Sequence, residues 1–160
     1  MKNMPHIERE IVINRPVDEV FDFMADGRNE PHYNPHMLRA EQTSAGPVGP
    51  GTQFRTEVTT GSRSMEMIYE FTAYERPQRL VGHTIKGPID VQSTETFDSV
   101  PGGTHFRWVW ELEPRGLFKL LSPLVARMMG RNLDTLLANI KRLLEAEPPP
   151  LPHTQAVPTS

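Results

Sequence analysis

The chain reads as an α+β domain: a curved antiparallel sheet of about seven strands wrapped around one long C-terminal helix, with two short helices after the first strand. Three observations predict this. Several stretches alternate apolar and polar side chains at the two-residue period of a half-buried strand. The later stretches are joined by short connections rich in glycine and proline, as in a meander of sequential hairpins. A single broad apolar stripe recurs at helical spacing near the end of the chain. A sheet and a helix with one apolar face each are most economically buried against one another.

The first strand spans residues 6–14, where Ile7, Ile11 and Ile13 share one parity and Glu8 and Glu10 the other. Pro16 then sits where a first helical turn tolerates a missing donor. Val17, Val20, Phe21 and Met24 follow at i, i+3, i+4 and i+7, so they form one apolar stripe that ends near Asp26 and Gly27. Residues 28–35 are polar and aromatic, and Pro31 and Pro35 keep any helix there short. Strands follow at residues 37–43, 52–60, 64–74, 79–86, 89–99 and 104–113. The connection at residues 46–51, Gly-Pro-Val-Gly-Pro-Gly, is turn chemistry. Leu117, Leu120 and Leu121 open the last helical pattern, and Ser122-Pro123 restarts it with a cap and a proline. From there Leu124, Val125, Met128, Met129, Leu133, Leu136, Leu137, Ile140 and Leu144 hold the stripe, while Arg127, Arg131, Asp134, Lys141 and Arg142 lie off it.

At 160 residues the chain suits one domain, here residues 1–145. Residues 146–160 hold Pro148, Pro149, Pro150, Pro152 and Pro158 and are expected to form a disordered, proline-rich tail. The absence of cysteine excludes disulfide frameworks and thiolate chemistry. A net charge of −3 with 17 basic and 20 acidic residues argues against nucleic acid as a partner. No apolar run reaches membrane-spanning length, and residues 1–6 lack the apolar segment of a secretory signal, so a cytoplasmic protein is expected.

The residues at 13–21 (Ile-Asn-Arg-Pro-Val-Asp-Glu-Val-Phe) and the Gly49-Pro50-Gly51-Thr52 turn resemble a known superfamily. So do residues 74–81 (Tyr-Glu-Arg-Pro-Gln-Arg-Leu-Val), Phe97 followed by Gly103-Thr104, and the Ser122-Pro123 helix ending in Leu143-Leu144-Glu145. Together they resemble the START-like, Bet v 1-like helix-grip superfamily (SRPBCC) and, within it, the polyketide cyclase/dehydrase-type group. The likeness runs over about residues 6–145. It implies a helix-grip fold with a cavity between sheet and long helix that holds apolar or amphipathic small molecules. Tyr33 stands where the family often has tryptophan, at the mouth of that cavity.

Parity supplies the candidate lining. Phe106, Trp108, Trp110 and Leu112 share a face opposite His105, Arg107 and Glu111, and so do Met65, Met67, Tyr69 and Phe71 opposite Glu66 and Glu70. With Met24, Met128 and Met129 they would make a methionine- and aromatic-rich lining able to adapt to varied apolar ligands; ordinary core packing is the plainer alternative. Glu95 shares the parity of Val91 and Phe97, which points a carboxyl inward, where burial raises its pKa and suits it to proton transfer. An exposed pairing with Arg79 is the alternative. His83 alternates with Gly82 and Thr84, and its relation to Glu95 depends on the hairpin: a two-residue loop opposes them and a three-residue loop aligns them. His32 and His36 read as loop histidines, not as metal ligands.

Three functions compete. The first is binding of a small hydrophobic or aromatic ligand (lipid, quinone or polyketide-like), with no cofactor and no metal. The second is a cyclase or dehydratase using His83, Glu95 and Tyr69. The third is a partner-docking or chaperone-like module. In each case the protein is expected to be a monomer or homodimer.

Overall fold

The computed structural model describes residues 6–87, 89–114, 120 and 122–146. The expected proline-rich tail beyond Ala146, together with Leu117 and Leu121, therefore lies outside the described residues.

Strand β1 (His6–Ile13) is followed by helix α1 (Val17–Ala25), a single 3-10 turn (Gly27–Asn29) and a four-residue helix α2 (Glu30–Tyr33). Then come β2 (Met37–Gln42), β3 (Gln53–Thr60), β4 (Arg63–Glu75), β5 (Arg79–Lys86), β6 (Ile89–Val100) and β7 (Gly103–Pro114), and finally helix α3 (Ser122–Glu145). The seven strands form one antiparallel sheet in the order β1-β7-β6-β5-β4-β3-β2. Consecutive strands from β2 to β7 pair as hairpins, and β1 closes the far side against β7, with Ile7 opposite Trp110 and Ile11 opposite Phe106. This is the sequence-predicted helix-grip architecture. Pro16 stands just before the first helical residue and not inside the first turn, with extended backbone that leads β1 into α1.

The inner face of the sheet carries two aromatic banks. On β3 and β4, Phe54, Tyr69 and Phe71 have ring centroids 5.4–5.9 Å apart. On β6 and β7, Phe97, Phe106, Trp108 and Trp110 follow one another at 5.2–5.7 Å. Helix α1 plugs one end of the concave face: Phe21 meets Tyr74 and Phe97 edge-on at 5.2 and 5.0 Å. Burying Val20, Phe21, Phe23 and Met24 contributes roughly 1.5–3 kcal/mol per side chain. Phe23, off the expected stripe, is buried because α2 covers that side and places Tyr33 5.9 Å away.

Helix α3 lies along β1 and runs in the same direction. Asp134 accepts from Arg9 Nε at 2.6 Å, Lys141 donates to the Val12 carbonyl at 2.6 Å, and Arg15 Nε donates to the Leu144 carbonyl at 2.5 Å. The other flank of the helix meets α2, where Asn139 Nδ2 donates to the Tyr33 carbonyl at 2.8 Å. Val125, Leu133, Leu136, Leu137, Ile140 and Leu144 are buried along the expected stripe. Leu124 and Met128 are not. They sit on its outer margin, and Met128 is 60 % exposed.

Candidate functional site

Between the two aromatic banks the inner face carries Leu80 and Gly82 on β5 and Ser93 and Glu95 on β6. The β5–β6 register sets Leu80 opposite Glu95 and Gly82 opposite Ser93, and on the other side Glu95 faces Trp108 and Ser93 faces Trp110. A Cβ added to Gly82 would make ordinary packing contacts with Glu70, Phe71 and Tyr69, the nearest at 3.8 Å. Trp108 is fixed by its Nε1, which donates to Ser93 Oγ at 2.6 Å. A carboxyl is thus set in the middle of the inner face, beside Trp108 and Leu80.

Glu95 is 6 % exposed, and its Oε1 is buried without a hydrogen-bond partner among the described residues. Burial, reinforced by the nearby Glu30 carboxyl, pushes its pKa well above the usual carboxylate range. The alternative pairing with Arg79 does not form: Arg79 is on the outer side and donates to Glu75 at 2.7 Å.

Sequence patterning does not mark Glu30 as a site residue, yet it is the second carboxyl of this region. Asp26 Oδ1 caps the 3-10 turn by accepting from the Arg28 amide at 3.0 Å. Pro31 then supports a short helix with no donor to lose, and Pro35 ends it. One helical turn puts Glu30 and Asn34 on one side, with Asn34 Nδ2 donating to Glu30 Oε1 at 3.4 Å. From β4, Tyr69 Oη donates to Glu30 Oε2 at 3.5 Å. Desolvation raises the Glu30 carboxyl to about 7, with the Asn34 and Tyr69 hydrogen bonds working the other way. Burial and the same carboxyls lift Tyr33 and Tyr69 well above the ordinary phenol range. The signal for Glu30 lies in its i, i+3 and i+4 spacing to Tyr33 and Asn34, within a segment whose prolines otherwise mark it as irregular.

Gly27 makes the Tyr69 contact possible. A Cβ at that position would collide with Tyr69 Oη and lie 2.8 Å from Phe54 Cγ, so only glycine lets the 3-10 turn sit down on the two rings.

The structure brings Tyr69 and Glu95 to the same region but not His83. Only residues 87 and 88 separate β5 from β6, and the register puts His83 opposite Glu70 and Gln92 on the outer face, where it is exposed. Met24, Tyr33, Phe71, Trp108 and Trp110 are buried, and Tyr33 is therefore within the core and not at an open mouth. Met67 and Met129 are half-buried; Met128 points to solvent and leaves the lining. His32 lies on α2 and His36 is exposed just after it. Among the described residues no group of three or more His, Cys, Asp or Glu could hold a metal.

A separate groove of about 560 Å³ lies on the outer side of β2, β3 and β4. Its walls are largely charged, and those charges are satisfied by each other: Arg55 pairs with Glu41, and Arg39 with Glu57 at 2.8 Å. It shares none of the aromatic lining.

The geometry defines a START-like, Bet v 1-like helix-grip domain with polar groups placed on an apolar inner face. Residues 4–145 match the family described as "Polyketide cyclase / dehydrase and lipid transport", and the chain belongs to that family. Solved structures agree on the fold. A Thermus thermophilus protein, TTHA0849, superposes with a TM-score of 0.74 at 20 % identity, covering 86 % of this chain and 95 % of that one. A START superfamily protein from Mycobacterium smegmatis gives 0.74 at 13 % identity, over 86 % and 94 % of the two chains. The Zhui aromatase/cyclase from Streptomyces sp. R1128 gives 0.70 at 16 % identity, over 91 % and 99 %. No curated protein matches the chain. No described helix is long and apolar enough to cross a membrane.

Proposed function

We propose that this protein binds a small hydrophobic or aromatic molecule on the inner face of its sheet, beneath α3, with the ligand's polar group meeting Glu95. The observation that carries the reading is the unpartnered Oε1 of Glu95, buried between Trp108 and Leu80. A buried polar atom without a partner costs about 1–3 kcal/mol. A ligand hydroxyl, carbonyl or amine at that point removes the penalty, while its ring or chain covers Trp108 and Trp110. Membership in a family described by polyketide cyclisation, dehydration and lipid transport supports the same class of ligand.

The test is native mass spectrometry of the protein purified from its own host, compared with its denatured mass, followed by thermal-shift screening with quinones, fatty acids and aromatic polyketides. A retained small mass or a dose-dependent shift supports binding. No retained mass together with a flat screen contradicts it.

One observation favours a catalytic second reading. Glu30, raised to about 7, lies near Glu95, which burial pushes well above the usual carboxylate range, so one carboxyl can serve as base and the other as acid. On a bound β-hydroxy ketone, ionised Glu30 would take the α-proton while protonated Glu95 gave its proton to the departing hydroxyl. The Cα–H and C–O bonds break, a C=C bond forms and water leaves. Loss of turnover in Glu95→Gln with ligand affinity kept within about threefold would support this reading.

A further inference from the structure

Within that ligand-binding reading, on which this inference rests, we infer that the ligand is an apolar amine: a protonated nitrogen on an aromatic or alicyclic body, its N–H groups taken by the unpartnered oxygens of Glu95 and Asn132.

Two buried side-chain atoms lack a hydrogen-bond partner among the described residues, Glu95 Oε1 and Asn132 Oδ1. The amide oxygen lacks a donor, and the carboxyl lacks one once it ionises. They also sit at one level of the fold. Gly130 of α3 sits against Ile7 and Arg9, and Asp134 is bonded to Arg9, so Asn132 is level with the strand residues paired to Ile7 and Arg9, which are Trp110 and Trp108. Trp108 is paired with Glu95. Around the helix Asn132 shares the stripe of Asn139, seven residues on, which bonds the Tyr33 carbonyl; it therefore lies on the α2 flank and not against β1.

The titratable groups that act on one another in this interior are all acids. Glu30, Glu95, Tyr33 and Tyr69 act on one another from α2, β4 and β6, and Asp26 adds to Tyr69. The cations nearby are committed elsewhere: Arg28 forks onto Asp26 at 2.8 and 2.9 Å, and Arg9 is held by Asp134. Among the described residues no lysine, arginine or histidine is buried. An ammonium supplies donors and no acceptor, it balances the carboxylates that ionise on its binding, and the faces of Trp108 and Trp110 attract it further. A carboxylate ligand meets the opposite on every count.

The experiment uses three probes of one size: naphthylmethylamine, naphthalenemethanol and naphthoate, titrated by calorimetry into the full chain at about pH 8 and about pH 6. The amine is expected to bind at least about tenfold tighter than the alcohol at the higher pH, the ratio carried by one unit of carboxyl pKa shift. That preference is expected to narrow at the lower pH, and amine binding to release protons into the buffer as the carboxyls ionise. Naphthoate is expected to bind weakest. Glu95→Gln and, separately, Asn132→Leu are each expected to cut the amine-over-alcohol ratio several-fold. An alcohol that binds as well as the amine, or a ratio unchanged in both variants, overturns the amine assignment and leaves the chamber standing. If none of the three binds, the chamber reading falls as well.

Discussion

Tyr69 Oη stands 3.5 Å from Glu30 Oε2, and Gly27 is the residue that lets it. The contact joins the middle of the sheet to the short helices that cross it. It ties the position of one carboxyl to a backbone that has no side chain of its own.

Gly27→Ala is expected to destabilise the fold by about 2–4 kcal/mol, because the new methyl collides with Tyr69 Oη and with the Phe54 ring. In a Tyr69→Phe background the nearest of those clashes is gone, so the same substitution is expected to cost less. Urea unfolding of the four proteins checks this; equal costs in both backgrounds would show that the hydroxyl does not set the spacing.

Glu30 and Glu95 are both held above the ordinary carboxyl range, so the folded state binds more protons than the unfolded chain. For Glu30 the stabilising effect of a raised pKa is complete below about 4.5 and is lost as pH climbs through about 7. The protein is therefore expected to lose stability from acid toward neutral and mildly alkaline pH, by on the order of 2–3 kcal/mol for this group. Glu95→Gln is expected to match the wild type near pH 4 and exceed its Tm near pH 8. A variant destabilised equally at both pH values would show that the carboxyl is paired and not stranded.

Ser93→Ala removes the acceptor of the Trp108 indole and leaves a buried N–H unsatisfied, at a cost of about 1–3 kcal/mol. Trp108→Ala is expected to cost more, about 3–5 kcal/mol, and to weaken apolar ligands as well. Chemical denaturation together with tryptophan fluorescence separates the two effects.

Arg15 closes the C-terminal end of α3, donating to the Leu144 and Ala146 carbonyls, while the Asn14 amide donates to Glu145 Oε2 at 2.8 Å. Arg15→Ala is expected to fray the last helical turn for about 1 kcal/mol, seen as faster amide exchange at residues 141–146 with little change at Leu133. Uniform exchange along the helix would contradict a local latch.

His83→Ala is expected to leave ligand affinity within about twofold and stability within about 0.5 kcal/mol, since the side chain is on the outer face. A large loss of binding would move the site to the other side of the sheet.

The fold is legible in the sequence because its signals are periodic. Alternation at Ile7, Ile11 and Ile13, short glycine and proline connections, and the stripe from Val125 to Leu144 each report one buried face, and burial is what fixes an element. The same logic places Trp108, Trp110, Phe71 and Glu95 inward. It fails where a relation spans elements. The relation of His83 to Glu95 depends on the length of one connection, and with two residues between β5 and β6 they take opposite faces. Met128 falls outside the lining because a stripe has margins, and its centre lies at Leu133, Leu137 and Ile140. Glu30 and Asn132 escape because each is a polar residue whose meaning comes from what lies across the interior.

The most direct test of the account is a nitrogen-15 correlation spectrum of the full chain titrated with naphthol. With the ligand on the inner face, the indole resonance of Trp108 and the amides of Gly82, Ser93 and Glu95 are expected to move together and saturate, while His83 and the outer groove at Arg39, Arg55 and Glu57 stay still. Shifts confined to that outer groove, or none anywhere at saturating probe, would contradict a ligand chamber on the inner face.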